Sequence, residues 1–128
     1  MIGLSETIVK LAPAFKDARG LIQPLLDRPI GSALIIESVK GSIRANHYHK
    51  TDWHYCYMLN GSMEYYERPT GSNEKPWMIE VKKGEMVFTP SMVDHAMKFL
   101  EDSTWVVLAR NPRSHACYES DTVRVNLI

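Results

Sequence analysis

Three of the five histidines fall within eight residues: His47, His49 and His54. A fourth, His95, lies far along the chain at the start of another apolar run. Side chains alternate faces along a strand, so a strand through this segment points His47 and His49 the same way. A turn through Thr51-Asp52 then lets the next strand present His54 on that same inward face. Imidazoles gathered inside a protein are costly to bury unless something uses their lone pairs. A divalent transition metal does, and imidazole suits iron, zinc, nickel and copper. A histidine near neutrality is also the natural side chain for taking a proton from carbon. Taken one at a time, each residue has a plainer reading. His47 and His49 fit a solvent-facing strand, and His54 fits a core histidine with satisfied hydrogen bonds. The fifth, His115, is read as exposed on a loop.

The elements that must position these rings are short strands. Apolar and β-branched clusters recur at 32–39, 43–49, 53–59, 63–67, 77–81, 85–89, 95–99, 104–109 and 122–127. Between them lie turn signals: Lys40-Gly41, Asn60-Gly61, Thr70-Gly71-Ser72-Asn73, Lys83-Gly84, Pro90-Ser91 and Asn111-Pro112. Asn60-Gly61 between two such runs is a strong hairpin signal. Strands at this spacing predict an all-β sandwich or barrel. No long segment has helical periodicity; Ser5–Leu11 is read as either a helical turn capped by Ser5 or a strand. Alternation puts Cys56 and Met58 on the His54 face and Tyr55 and Tyr57 on the other.

Composition narrows the class. The 128 residues fit one domain, with 45% hydrophobic and 23% charged residues. Fifteen basic residues balance fifteen acidic ones, so no charge excess argues for nucleic acid or an anionic membrane. Residues 1–11 carry Glu6 and Lys10 and lack the apolar core of a signal peptide, and no apolar run reaches spanning length. A cytoplasmic protein with reduced thiols is expected; Cys56 and Cys117 do not make a disulfide framework.

The spacing of the histidines resembles the two motifs of the cupin superfamily. Gly41 is followed after five residues by His47, then Tyr48 and His49; His54 comes next, and Gly61 closes the first motif. Gly84, Pro90, Met92, His95 and Phe99 follow the spacing of the second. The resemblance covers about residues 32–109 and implies a double-stranded β-helix, the cupin or jelly-roll barrel, as a single domain over 1–128. Residues 32–110 would then form the barrel and residues 1–30 an N-terminal arm. It also implies a divalent metal (Zn, Fe, Ni, Cu or Mn) held by His47, His49, His54 and His95. This chain departs from the pattern at three places. His54 stands where the family usually has Glu, which gives an all-imidazole set. Met92 stands in place of Gly, so that turn is expected to take another shape. Phe99 replaces Asn and is read as core packing.

Three shorter segments resemble nucleotide-sugar cupins, the keto-isomerases and 3,5-epimerases: Phe15-Lys16-Asp17-Ala18-Arg19-Gly20, Asn46-His47-Tyr48-His49-Lys50, and Tyr118 to Arg124. A plain turn with glycine at positive φ explains the first equally well. The resemblance implies isomerisation or epimerisation of a small keto or nucleotide-sugar substrate, with His47 or His49 as the base wherever it does not ligate a metal. The competing expectations are a metal-dependent dioxygenase and a non-catalytic metal- or ligand-binding cupin. Arg44 and Arg110 are candidates to meet a phosphate, with solvated charge as the plainer reading. Cys56 is read as a buried small hydrophobe rather than a reactive thiol. A homodimer is expected, the arm offering a strand, and Tyr55, Tyr57, Tyr65 and Tyr66 are read as building a subunit interface or sheet–sheet packing.

Overall fold

The structure, a computed structural model, describes residues 7–128. Ser5 and Glu6, and with them part of the Ser5–Leu11 reading, lie outside the described residues. From Ile8 onward the chain docks like a strand: Ile8 bridges Val87 antiparallel, and Val9 N donates to the Met86 carbonyl.

Eleven strands and one short helix follow. They are β1 (Phe15–Asp17), β2 (Gly20–Ile22), β3 (Ser32–Ser38), β4 (Ile43–His49), β5 (His54–Asn60), β6 (Ser62–Pro69), β7 (Trp77–Lys82), β8 (Met86–Thr89), β9 (Val93–Phe99), β10 (Ser103–Ala109), α1 (His115–Asp121) and β11 (Thr122–Arg124). Two antiparallel sheets face each other, one in the order β3-β10-β5-β8, the other in the order β11-β4-β9-β6-β7. Consecutive strands repeatedly switch sheets, as in a jelly roll. The β1–β2 hairpin forms a small sheet of its own, within the segment read as an arm.

Alternation explains the layering. Along β10 every second residue is buried, from Ser103 through Trp105 and Val107 to Ala109. On β5 His54, Cys56 and Met58 face inward while Tyr55 and Tyr57 face outward, as expected. The core gathers Cys56, Met58, Met63, Tyr65, Val81, Val87, Met97, Phe99, Trp105 and Val107. Phe99 packs its ring 5.4 Å from that of Trp105, which is the packing role read for it. Tyr65 is a core residue rather than an interface one. Its hydroxyl donates to Glu67 and pairs with Thr89, and Thr7 donates to the same buried carboxylate.

Three departures from the sequence reading are physical. Residues 115–121, read as loop, form α1: Ser114 Oγ accepts from Cys117 N and starts the turn. His115, at its first position, is exposed as expected. Met92 does not reshape its turn. It takes up the left-handed conformation itself, at φ 59°, and its amide donates to the His49 carbonyl. Just before His47, Ala45 and Asn46 are also left-handed, at φ 70° and 54°, and the β4–β9 register slips there. This bulge re-aims the strand that carries two histidines. The C-terminal segment holds it: Val125 N donates to the Asn46 carbonyl, and the Leu127 and Ile128 amides donate to its side-chain oxygen.

Asn60-Gly61, read as a hairpin signal, instead makes a turn between the two sheets, since β5 pairs with β10 and β8 and β6 with β7 and β9. Gly61 sits there at φ 99°, and a Cβ would lie 2.8 Å from Ser103 Cα. Strain and overlap with backbone act together. We expect Gly61→Ala to cost about 2 kcal/mol or more. A lower urea midpoint at an unchanged denaturant slope would show this; an unchanged midpoint would mean that the turn relaxes freely.

Candidate active site

Three strands deliver the four histidines. His47 and His49 leave β4 toward the interior, His54 opens β5, and His95 lies on β9 directly opposite His47 in the register. All four are buried, exposed by only 7, 4, 6 and 1% respectively. Their rings converge: His47 lies 4.6 Å from His49 and 4.7 Å from His95, and His54 lies 5.0 Å from His95. A cavity of about 150 Å³ opens above them. Leu34, Ile36 and Val107 form its apolar wall; Arg44, Asp52, Arg113 and Tyr118 line its polar side.

The hydrogen bonds around the rings have a direction. His95 Nδ1 lies 3.0 Å from the Val93 carbonyl, which can only accept, so Nδ1 carries the proton and Nε2 the lone pair. His54 Nε2, 3.3 Å away, therefore donates to His95 Nε2. That leaves His54 Nδ1 as an acceptor for the Cys56 thiol at 3.4 Å. The buried thiol keeps its proton, because burial pushes its pKa above the usual range. Cys56 is thus a structural donor, in keeping with the inert role read from sequence. His47 Nδ1 is buried with no hydrogen-bond partner.

Burial is the largest influence on every ring. It pushes His47 down to about 2, with the neighbouring His95 and His49 adding to the effect, and His95 down to about 3. His54 is held well below the usual range by burial and then by His95. His49 is also lowered by burial, but Asp52 and Asp121 pull it back up. Of the four it alone has carboxylates working in its favour. All four rings are therefore neutral near pH 7.

Asp121, at the end of α1, fastens the closing segment to the β4–β5 turn. It accepts from Thr51 N, Thr51 Oγ1 and Asp52 N, and these bonds hold its carboxyl below the usual range although burial would raise it. Asp52 accepts from Asn111 N and is raised by burial. Arg113 stacks 3.8 Å over the Tyr118 ring. Arg113 does not stand out in the sequence; Tyr118 and Asp121 fall in the closing segment that resembles nucleotide-sugar cupins and Asp52 in the turn before His54, but only the fold brings them to the histidines. Of the two arginines read as phosphate candidates, Arg44 lines the cavity, whereas Arg110 is turned to the Thr51 carbonyl and Asn111.

The residues fit a divalent metal in part. His47, His49 and His95 each offer one ring nitrogen, all within 4.8 Å of one another. They are neutral, as ligands must be. His54 falls outside that mutually close set, and its proton occupies the lone pair of His95.

No family model matches the chain, and no curated protein matches it. Solved structures do. The sugar 3,4-ketoisomerase QdtA from Thermoanaerobacterium thermosaccharolyticum, in complex with TDP, aligns over 95% of this chain and 90% of its own at 21% identity, with a TM-score of 0.76. WlaRA from Campylobacter jejuni, a TDP-fucose-3,4-ketoisomerase, aligns over 91% and 87% at 18% identity, with a TM-score of 0.75. The dTDP-4-dehydrorhamnose 3,5-epimerase from Sulfolobus tokodaii aligns over 88% and 73% at 17% identity, with a TM-score of 0.73. At these identities the likeness establishes the fold alone, a cupin-type jelly roll. Among the described residues no helix is long and apolar enough to cross a membrane.

The depressed imidazoles make a pH prediction. Below ~6.5 the unfolded chain binds protons that the folded site refuses, so stability is full above that range and falls as pH drops toward the folded values. A histidine held at about 2 or 3 costs about 2 kcal/mol of stability by pH ~5. In chelator-treated protein, His47→Gln should lose about that much less between pH 7.5 and 5 than the unsubstituted chain. Equal acid losses in the two would show that His47 is not buried neutral.

Proposed function

We propose that the chain is an isomerase or epimerase of a nucleotide-linked keto sugar, with His49 as the base. The observation that carries this is the cluster of four neutral, buried imidazoles beneath a cavity whose polar side holds Arg44, Arg113 and Tyr118. His49 suits the role best because Asp52 and Asp121 favour its protonated form. In a 4-keto sugar the carbon next to the carbonyl is acidic. His49 takes that proton, and the bond electrons move onto the carbonyl oxygen to give an enediolate. Arg113 and the Tyr118 hydroxyl stabilise the oxyanion. Passage of the hydroxyl proton from the oxygen on carbon 3 to that on carbon 4, with reprotonation at the former carbonyl carbon, gives the 3-keto isomer; return of the proton to the opposite face of the first carbon gives the epimer. Arg44 and Arg113 are suited to the diphosphate. QdtA, WlaRA and the 3,5-epimerase support this choice of substrate class.

A second reading is favoured by the close set of His47, His49 and His95 and by the unpartnered His47 Nδ1. These three residues would hold a divalent metal, which when bound supplies Lewis acidity to a carbonyl or a site for oxygen chemistry. A His49 that ligates cannot also take the proton, so the two readings are separable.

We further propose a homodimer. The outer face of the β3-β10-β5-β8 sheet carries Ile35, Tyr55, Tyr57, Phe88, Val106 and Leu108, and Ile35 is 73% exposed. The β1–β2 hairpin adds exposed Phe15, Leu21 and Ile22. Exposed apolar residues of this kind suit a second copy.

Incubating the chain with dTDP-4-keto-6-deoxyglucose in D₂O should wash deuterium into the sugar next to the carbonyl. His49→Asn should slow this by about 10²–10⁴-fold. Chelator treatment with elemental analysis should leave the wash-in intact; its loss on chelation and return with zinc or iron would favour the metal reading. No wash-in and no binding of TDP would sink the sugar proposal.

A further inference from the structure

Thr122 opens β11 as the cross-strand partner of His49. Paired residues of an antiparallel ladder project to the same side of the sheet, so hydroxyl and imidazole meet: Thr122 Oγ1 lies 3.2 Å from His49 Nδ1. A second bond fixes the direction of the first. Thr122 Oγ1 donates its single hydrogen to the Tyr118 carbonyl at 2.6 Å, and a carbonyl can only accept. With that hydrogen committed, Thr122 can only accept from His49. The ring proton of His49 therefore sits on Nδ1, and the lone pair sits on Nε2.

We infer that Thr122 is a positioning residue that locks His49 in the Nδ1–H tautomer and presents its Nε2 lone pair to the cavity. An imidazole without such a partner samples both tautomers, and in one of them a proton covers the atom that must work. His95 has its tautomer set by the Val93 backbone, and the Nδ1 of His47 has no partner. His49 is the ring whose tautomer rests on a replaceable hydroxyl. The device is tied to the closing segment: α1 supplies the Tyr118 carbonyl, and Asp121, adjacent to Thr122, is clamped by Thr51 and Asp52. The consequence for catalysis rests on His49 being the base, as proposed above; the tautomer assignment does not.

The test uses the ¹⁵N-labelled, chelator-treated full chain and long-range ¹H–¹⁵N correlations of the histidine rings at pH 7.5. His49 should show a protonated Nδ1 and a bare Nε2. Thr122→Val keeps the β-branched shape and removes the acceptor, so His49 should shift to a mixture of tautomers. Thr122→Ser should restore the original pattern. Deuterium wash-in should slow about tenfold in Thr122→Val with KM little changed, and recover in Thr122→Ser. A protonated Nε2 in the unsubstituted chain overturns the inference and needs no variant to fold. So does a Thr122→Val protein that keeps the pure Nδ1–H form, or one with mixed tautomers and full wash-in. If the unsubstituted chain shows no wash-in but His49 is locked as described, the proposed function fails and the tautomer assignment stands.

Discussion

Everything near the cavity answers to one constraint: four imidazole rings are taken out of water without charge. A protonated ring there would lose its hydration and face its neighbours as like charges. The site therefore works only with neutral rings, and a neutral ring has one donor and one acceptor nitrogen. Each must be matched. The Val93 carbonyl, the Cys56 thiol and the Thr122 hydroxyl meet that demand for three of the rings. The fourth, His47, is left with a buried nitrogen that has no hydrogen-bond partner. An unsatisfied buried polar atom costs stability, and such atoms in native structures mark places where function has been favoured over packing.

The same constraint accounts for where strain is kept. Ala45, Asn46 and Met92 hold left-handed conformations that side chains other than glycine rarely adopt. All three lie beside the histidine strands. The bulge at Ala45 and Asn46 turns β4 so that His47 meets His95, and Met92 delivers its amide to the carbonyl of His49. Each such residue costs on the order of 1–3 kcal/mol. The C-terminal amides that close on Asn46 offset part of that cost.

How much of this is legible in the sequence depends on the range of the interactions. Strand alternation and turn residues act locally, so the run of short strands and the inward face of β5 follow from the residues themselves. The paired spacing around His47, His49 and His95 carries the fold class. What cannot be read locally is anything made by a partner distant in the chain. Arg113 is an ordinary residue in the sequence, and the resemblance at Tyr118 to Arg124 gives Tyr118 and Thr122 no individual role until β11 pairs with β4. His54, set apart in the sequence only by standing where the family usually has Glu, becomes a donor to His95 because the Val93 carbonyl holds the His95 proton on Nδ1. The helix at 115–121 is a single capped turn continued, too short for periodicity to reveal. Met92 kept the turn that its bulk argues against, because the bond to His49 rewards the conformation.

The pairing of β4 has a kinetic side. His47 is matched with His95 on one edge and with Arg124 on the other, so the pocket is assembled entirely from contacts between distant parts of the chain. Closing such long loops is slow, and the contacts that reward it come late. A partly folded chain can hold the β6–β7 hairpin, which is local, while the imidazoles are still scattered. Ligand recognition is then a property of the finished fold alone. Whatever binds this cavity stabilises the native state against unfolding rather than guiding the chain toward it.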